Sequence, residues 1–191
     1  MFEVEKNAFI LETAVRDGKV RQDSGSKDCV NLPSPAAVSG FMQEALIEAK
    51  AAFDLGEVPV GAVLVYQNTV IARAHNLVET LSDATAHAEM LCLKKGAEVL
   101  GNWRLLETTL YCTLEPCPMC AGAMIHSRVK RLVWGAPDLR CGAHGSFVNL
   151  LDMKHPIHQL QVTQGVLSQE SSELMKNFFK LRREKENGSI I

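Results

Sequence analysis

The residue types that can do chemistry are concentrated in two short segments, His87-Ala88-Glu89 and Pro116-Cys117-Pro118-Met119-Cys120. Each follows an extended or irregular stretch and opens a predicted helix. Cys117 and Cys120 are three positions apart, so on a first helical turn both sulfurs face the same way. A helix N-terminus favours negative charge, which lowers a thiol pKa and suits thiolate metal ligands. With His87 from a neighbouring helix they make a His-Cys-Cys set that leaves one coordination position open. Catalytic zinc takes three protein ligands and a water, whereas structural zinc takes four protein ligands.

Glu89 has a different part. Two helical steps of about 100° each turn it away from His87, so the two cannot ligate one ion from mid-helix. At the helix mouth, however, Glu89 can lie beside a metal-bound water, whose pKa the metal would lower from about 15.7 towards 7. That is where a proton shuttle belongs, taking the water's proton and passing it to a ring nitrogen and a departing amine. Two rival readings stay open on the residues alone. Cys117 and Cys120 have the spacing of a redox pair, which leaves His87 and Glu89 unexplained. Cys141-Gly-Ala-His144 has ligand spacing too, so a closed structural zinc cluster is conceivable, although Gly142 and Gly145 make a turn an equal explanation. Cys29, Cys92 and Cys112 are read as bystanders, and His75, His126, His155 and His158 as surface or packed residues.

The elements that must position these groups follow from hydrophobic spacing. A helix begins near Ser39 as cap, carries Phe41, Met42, Ala45, Leu46, Ala49, Ala52 and Phe53 on one side, and ends at Gly56. Residues 60–66 and 70–74 read as strands joined in a hairpin at Gln67-Asn68. A helix is predicted over about 86–100, a third strand over 109–114 and a short helix over 119–126. A fourth strand spans 131–135, a weaker fifth 161–166, and a last helix about 168–183. Strands alternating with helices predict an α/β domain of three layers, with helices on both faces of the sheet. Residues 1–37 differ: they are polar, lack sustained periodicity and include Asp23-Ser-Gly-Ser-Lys27 and Pro33-Ser-Pro35. They read as an extension or linker, with the folded domain over 38–191.

Composition narrows the class. Apolar residues make up 47% of the 191, enough for a sizeable core and too many for a disordered chain. No apolar run approaches the roughly 20 residues that span a bilayer, so a soluble protein is expected. Glu3, Glu5 and Lys6 exclude a secretory signal, and the acidic residues up to Asp17 make a poor transit peptide. Six cysteines, four of them inside apolar or motif segments, point to a reducing compartment rather than a disulfide scaffold. A net charge of −2 argues against sequence-blind binding to nucleic acid. The charge is uneven, though: from Ala123 onwards ten basic residues face six acidic ones, many of the basic ones in the last helix.

His87-x-Glu89 followed, after 26 intervening residues, by Pro116-Cys-x-x-Cys120 resembles the signature of the zinc nucleoside deaminases. The likeness to the bacterial- and plastid-type tRNA adenosine deaminases extends further. It takes in Val58-Pro-Val-Gly-Ala-Val63, Thr85-Ala-His-Ala-Glu89, the block from Thr113 to Arg128, Gly135-Ala-Pro-Asp138, Gly142 to Ser146, and Asn177-Phe-Phe-Lys-Leu-Arg-Arg183. The resemblance covers roughly residues 39–185 and implies a cytidine-deaminase-like α/β/α fold with a central mixed five-stranded sheet. It also implies a homodimer, one zinc ion per subunit, and conversion of the wobble adenosine A34 to inosine in a tRNA anticodon, that of an arginine tRNA.

Carried over residue by residue, the resemblance makes His87, Cys117 and Cys120 the metal ligands and Glu89 the shuttle. Asn76 corresponds to the asparagine that hydrogen-bonds the flipped base, and Ala88 to a substrate-binding position. Asp138 corresponds to an acidic residue near the flanking nucleotide. Phe178, Phe179, Arg182 and Arg183 correspond to the helix that grips the anticodon loop, where core packing is the competing role for at least one phenylalanine. Pro118 and Lys180 depart from the usual pattern, at positions otherwise aliphatic and often arginine. The extension fits a chloroplast stromal relative whose catalytic domain ends a long chain; without such a chain, the expected compartment is the bacterial cytoplasm. The alternative expectation is a deaminase of a free base or nucleoside, guanine or cytosine. The basic last helix and Asn76 speak against it, since a small substrate needs no electrostatic track for phosphates.

Overall fold

The computed structural model describes residues 34–188. The first helix, α1 (Pro35–Asp54), starts earlier than Ser39: the Ser34 hydroxyl accepts from the Ala37 N–H, and Pro35 opens the first turn. Proline suits that position because its fixed φ is helical and the missing N–H would have no partner there. Pro33-Ser-Pro35, read from sequence as linker, is therefore in part a helix start. The rest of the expected extension lies outside the described residues.

After α1 come β1 (Gly61–Tyr66) and β2 (Thr69–His75), then the single turn α2 (Val78–Leu81), which the sequence reading did not include. Next are α3 (Ala88–Leu100), β3 (Thr108–Leu114), α4 (Pro118–His126), β4 (Arg131–Ala136), β5 (Gln161–Thr163) and α5 (Ser168–Gly188). Gln67 and Asn68 take φ values of 48° and 59°, the two left-handed positions of a hairpin turn whose twist matches that of its strands. The fifth strand stops three residues short of its expected end, and Gly165, at φ 80°, turns the chain just beyond it.

The sheet is five-stranded and mixed, in the order β2-β1-β3-β4-β5. β1 runs antiparallel to both β2 and β3, while β3, β4 and β5 are parallel. Period-two alternation sorts the side chains between two cores. Ala62, Leu64, Leu110, Cys112, Leu132 and Trp134 face one way, packed with Cys92 and Leu93 of α3 and Met124 of α4. Val63, Val65, Tyr111 and Val133 face the other, against Met42 and Ala45 of α1. The last helix joins that second layer, where the Phe53 and Phe178 rings meet edge-on at 5.7 Å. This is the expected three-layer α/β/α arrangement. Close approach governs the α1 side: a Cβ added at Gly61 would stand 2.1 Å from the Ala45 carbonyl oxygen.

The topology gathers the chemistry at one end of the sheet. β2, β3 and β4 all finish there and β1 starts there. Asn76, Glu115 and Asp138 follow the three strand ends, and Glu57 precedes β1. Ligands of open α/β sheets bind at this kind of edge, outside the carboxyl ends of parallel strands.

Candidate metal centre and active site

His87 is the N-cap of α3 and Cys117 the N-cap of α4, both with extended backbone, so the two helices point their first turns at a common space. Pro118 occupies the first helical position of α4, where it costs no hydrogen bond. Its departure from the family pattern is thus accommodated locally. His87 Nδ1 lies 3.7 Å from Cys117 Sγ and 3.5 Å from Cys120 Sγ, and the two sulfurs are 3.7 Å apart. A tetrahedral zinc with Zn–S of about 2.3 Å and Zn–N of about 2.0–2.1 Å requires edges of about 3.8 Å between sulfurs and about 3.6 Å from nitrogen to sulfur. The residues present fit zinc. Hydrogen bonding from the Cys120 thiol holds Cys117 down at about 4 although burial pushes the other way, and the His87 ring adds to the effect, which favours the thiolate form that binds metal. Among the described residues no other group of three or more His, Cys, Asp or Glu side chains converges in this way. In particular Cys141 is exposed, and His144 turns its Nε2 to Asp152 at 3.2 Å and its ring edge-on to Trp134.

Glu89 stands in the first turn of α3, only 3% exposed. Burial pushes its carboxyl above the ordinary value, opposed by its own backbone N–H and by the charge of His87. His87, Glu89 and Cys117 lie on the wall of a cavity of about 580 Å³. Asn76, Asp138 and Phe179 line the same cavity, as do Glu57, Glu115, Arg140 and Met175.

The remaining sequence-predicted residues lie outside its walls. Ala88 is fully buried in the core under α3. Phe178 packs into the core between Phe53 and Phe179, so of the two adjacent phenylalanines only Phe179 reaches the cavity. Arg182 and Arg183 are exposed on α5, the Arg182 guanidinium 5.9 Å from the Phe178 ring centre. The Asp138 carboxylate is engaged within its own turn, accepting from the backbone N–H groups of Arg140 and Cys141 at 3.0 and 3.2 Å.

Two buried carboxylates escaped the sequence reading. Glu57, 1% exposed, accepts from the Asn76 amide and from the backbone of Glu79 and Thr80. Glu115, also 1% exposed, accepts from the backbone N–H groups of Asp138, His144 and Ser146 and from the Ser146 hydroxyl. It ties down the loop that carries Asp138, and a Cβ at Gly142 would stand 2.3 Å from its carboxyl carbon. The available signal was a carboxylate next to apolar residues and a proline at a strand boundary, Leu114-Glu115-Pro116 and Glu57-Val58-Pro59.

The fold and the site define a deaminase: a family model described as MafB19-like deaminase matches residues 38–183. The tRNA-specific adenosine deaminase of Bacillus subtilis is 49% identical, covering 78% of this chain and 92% of that protein. The chloroplastic tRNA(adenine(34)) deaminase of Arabidopsis thaliana is 51% identical over 74% of this chain, which spans 12% of that longer protein. A structure from work on A-to-I editing by tRNA:A34 deaminases superposes with a TM-score of 0.69 at 43% identity, covering 71% of this chain and 99% of that one. A guanine deaminase from Nitrosomonas europaea, at 24% identity and a TM-score of 0.65 over 77% of this chain and 85% of its own, shares the fold. The chain belongs to the family of tRNA-specific adenosine deaminases.

Proposed function

We propose that this protein deaminates the wobble adenosine, A34, of a tRNA anticodon to inosine, and that the tRNA is an arginine tRNA. The observation that carries this reading is the His87-Cys117-Cys120 triangle opening beside the buried Glu89 into a cavity walled by Asn76. One zinc ion per subunit fits that triangle; when bound, it supplies a Lewis acid that brings the pKa of water to about 7. Hydrolysis replaces the amine on C6 of adenine with oxygen and releases ammonia. Glu89 takes a proton from the attacking water, delivers one to ring nitrogen N1, and carries the next to the departing amine. Its burial suits a group that must accept a proton readily near neutrality.

Asn76 holds the base by hydrogen bonds from the cavity wall. Ala88, whose side chain is in the core, contributes through its backbone N–H, since first-turn N–H groups are not used within a helix. Asp138 borders the flanking nucleotide at the rim. Phe179 packs against the entering loop, Phe178 supports it from the core, and Arg182 and Arg183 contact backbone phosphates. Residues 38–191 make up the catalytic domain and 1–37 an extension of it. Leu139, Phe147, Met153 and Ile157 are exposed by 46% or more along the β4–β5 connection, an apolar surface suited to the subunit contact of a homodimer. The placement of four of the six cysteines inside apolar or motif segments supports a reducing compartment: chloroplast stroma if the sequence is a piece of a longer plant protein, bacterial cytoplasm otherwise. No helix among the described residues is long and apolar enough to cross a membrane.

Incubation with an anticodon stem-loop containing A34, read by inosine mapping, tests the reading beside free adenosine, guanine and cytosine. Inosine at position 34 is the expected result. Turnover of a free base or nucleoside with an untouched stem-loop would replace it with the small-substrate alternative.

A further inference from the structure

Glu57 lies between α1 and β1, and its carboxylate is the meeting point of three donors from the stretch that runs from the end of β2 into α2. The Thr80 N–H donates to Oε1 at 2.6 Å, the Glu79 N–H to Oε2 at 3.3 Å, and the Asn76 side-chain amide to Oε2 at 3.1 Å. Burial pushes the Glu57 pKa up, but hydrogen bonds from the backbone and hydroxyl of Thr80, the Glu79 backbone and the Asn76 amide outweigh it and leave it below the ordinary value. The carboxylate is therefore ionised at neutral pH.

An ionised carboxylate only accepts hydrogen bonds. Asn76 can face it only through its NH2 group, and this holds whichever way the nearly identical O and N atoms of an amide are first placed. Asn76 is only 6% exposed, and a turned-over amide would set its carbonyl oxygen against the Glu57 carboxylate, two acceptors with no proton between them.

We propose that Glu57 is a positioning residue that locks the Asn76 amide in one of its two orientations, presenting the carbonyl oxygen and a single N–H to the base. The consequence is a fixed polarity of recognition. Base edges differ largely by exchanging donors for acceptors, an amine where another base has a carbonyl. An asparagine free to turn over serves both patterns, whereas a locked one serves only one. The inference rests on the adenosine reading of the cavity given above, but the lock itself does not depend on which base enters.

The sharpest variant is Glu57→Gln. With its carbonyl at the Oε1 position the glutamine can still accept from Thr80 at the shortest of the three contacts, which leaves its NH2 group at the Oε2 position towards Asn76, gives up the longer Glu79 contact and requires the Asn76 amide to invert. With fold and zinc content retained, kcat/KM on the A34 stem-loop is expected to fall about 10- to 100-fold, the cost of mismatched buried polar groups. Asn76→Ala is expected to fall by a similar factor, and the double variant no further than Asn76→Ala alone. Glu57→Asp, which keeps an acceptor, is expected to recover part of the loss. A purely structural role for Glu57 would instead multiply the two losses, and that result, in either Glu57 variant, overturns the proposal. Hydrogen exchange of the Asn76 side-chain amide reads the lock with no substrate present: one proton is slow in the native protein and fast after Glu57→Gln. Equal exchange in both overturns the lock. A native protein that leaves the stem-loop unedited yet shows the protected proton defeats the adenosine reading and not this one.

Discussion

His87 Nδ1 stands 3.5 Å from the Sγ of Cys120, across 33 positions of chain. Neither residue is near the other in sequence; they meet because α3 and α4 both begin at the same end of the sheet. The helix openings leave first-turn groups directed at one point, and the intervening β3 sets the distance.

The first expectation concerns the metal. Cys117→Ala removes one corner of the ligand triangle, so zinc should fall from one ion per chain to a trace, with loss of inosine formation. Elemental analysis against protein concentration measures it, alongside circular dichroism to establish that the fold persists. A one-to-one zinc content in this variant would remove Cys117 from the ligand set.

Glu89→Gln keeps the shape of the side chain and removes its ability to accept a proton. Zinc and melting temperature should stay close to native while turnover of the stem-loop falls by about 10²–10⁴. Undiminished turnover would strip Glu89 of its role.

Replacing Arg182 and Arg183 together by alanine tests α5 as the phosphate contact. Both are exposed and outside the cavity, so their loss should raise KM several-fold more than it lowers kcat and should make binding less sensitive to salt. An unchanged KM would show that this part of the helix does not carry the RNA.

Acid stability follows from Glu57. Its carboxyl is held below the ordinary value of 4.5, burial notwithstanding, by its hydrogen-bond donors. A depressed folded pKa contributes stability that is fully present above the unfolded value and is lost as pH falls through the folded one. The native melting temperature should therefore drop below about pH 4.5 more steeply than that of Glu57→Gln, in scans from pH 7 to 3. Parallel curves would mean that the carboxylate is not the origin of the acid sensitivity.

The convergence of His87, Cys117 and Cys120 was legible in the residues because imidazole and thiol are rare, chemically singular groups, and their spacing at predicted helix openings left few other uses. The sheet and helices were legible because periods of two and 3.6 record which face is buried. Pro33-Ser-Pro35 misled because the same residues that favour turns also start helices, and only the Ser34 hydroxyl on the Ala37 N–H separates the two. The short α2 turn left no mark, having no buried residue to impose a period.

What the sequence by itself determined was the local: element types, the residue types suited to a metal, the carboxylate beside them and the family. Only the tertiary structure decided which of two adjacent phenylalanines reaches the cavity. Neighbours on a helix are turned by about 100°, and the packing of α5 on α1 chooses the face. The roles of Glu57 and Glu115 were decided there as well. A buried carboxylate is tolerable only where donors converge on it, and those donors, mostly backbone N–H groups, come from 19 or more positions away, brought into reach by the sheet.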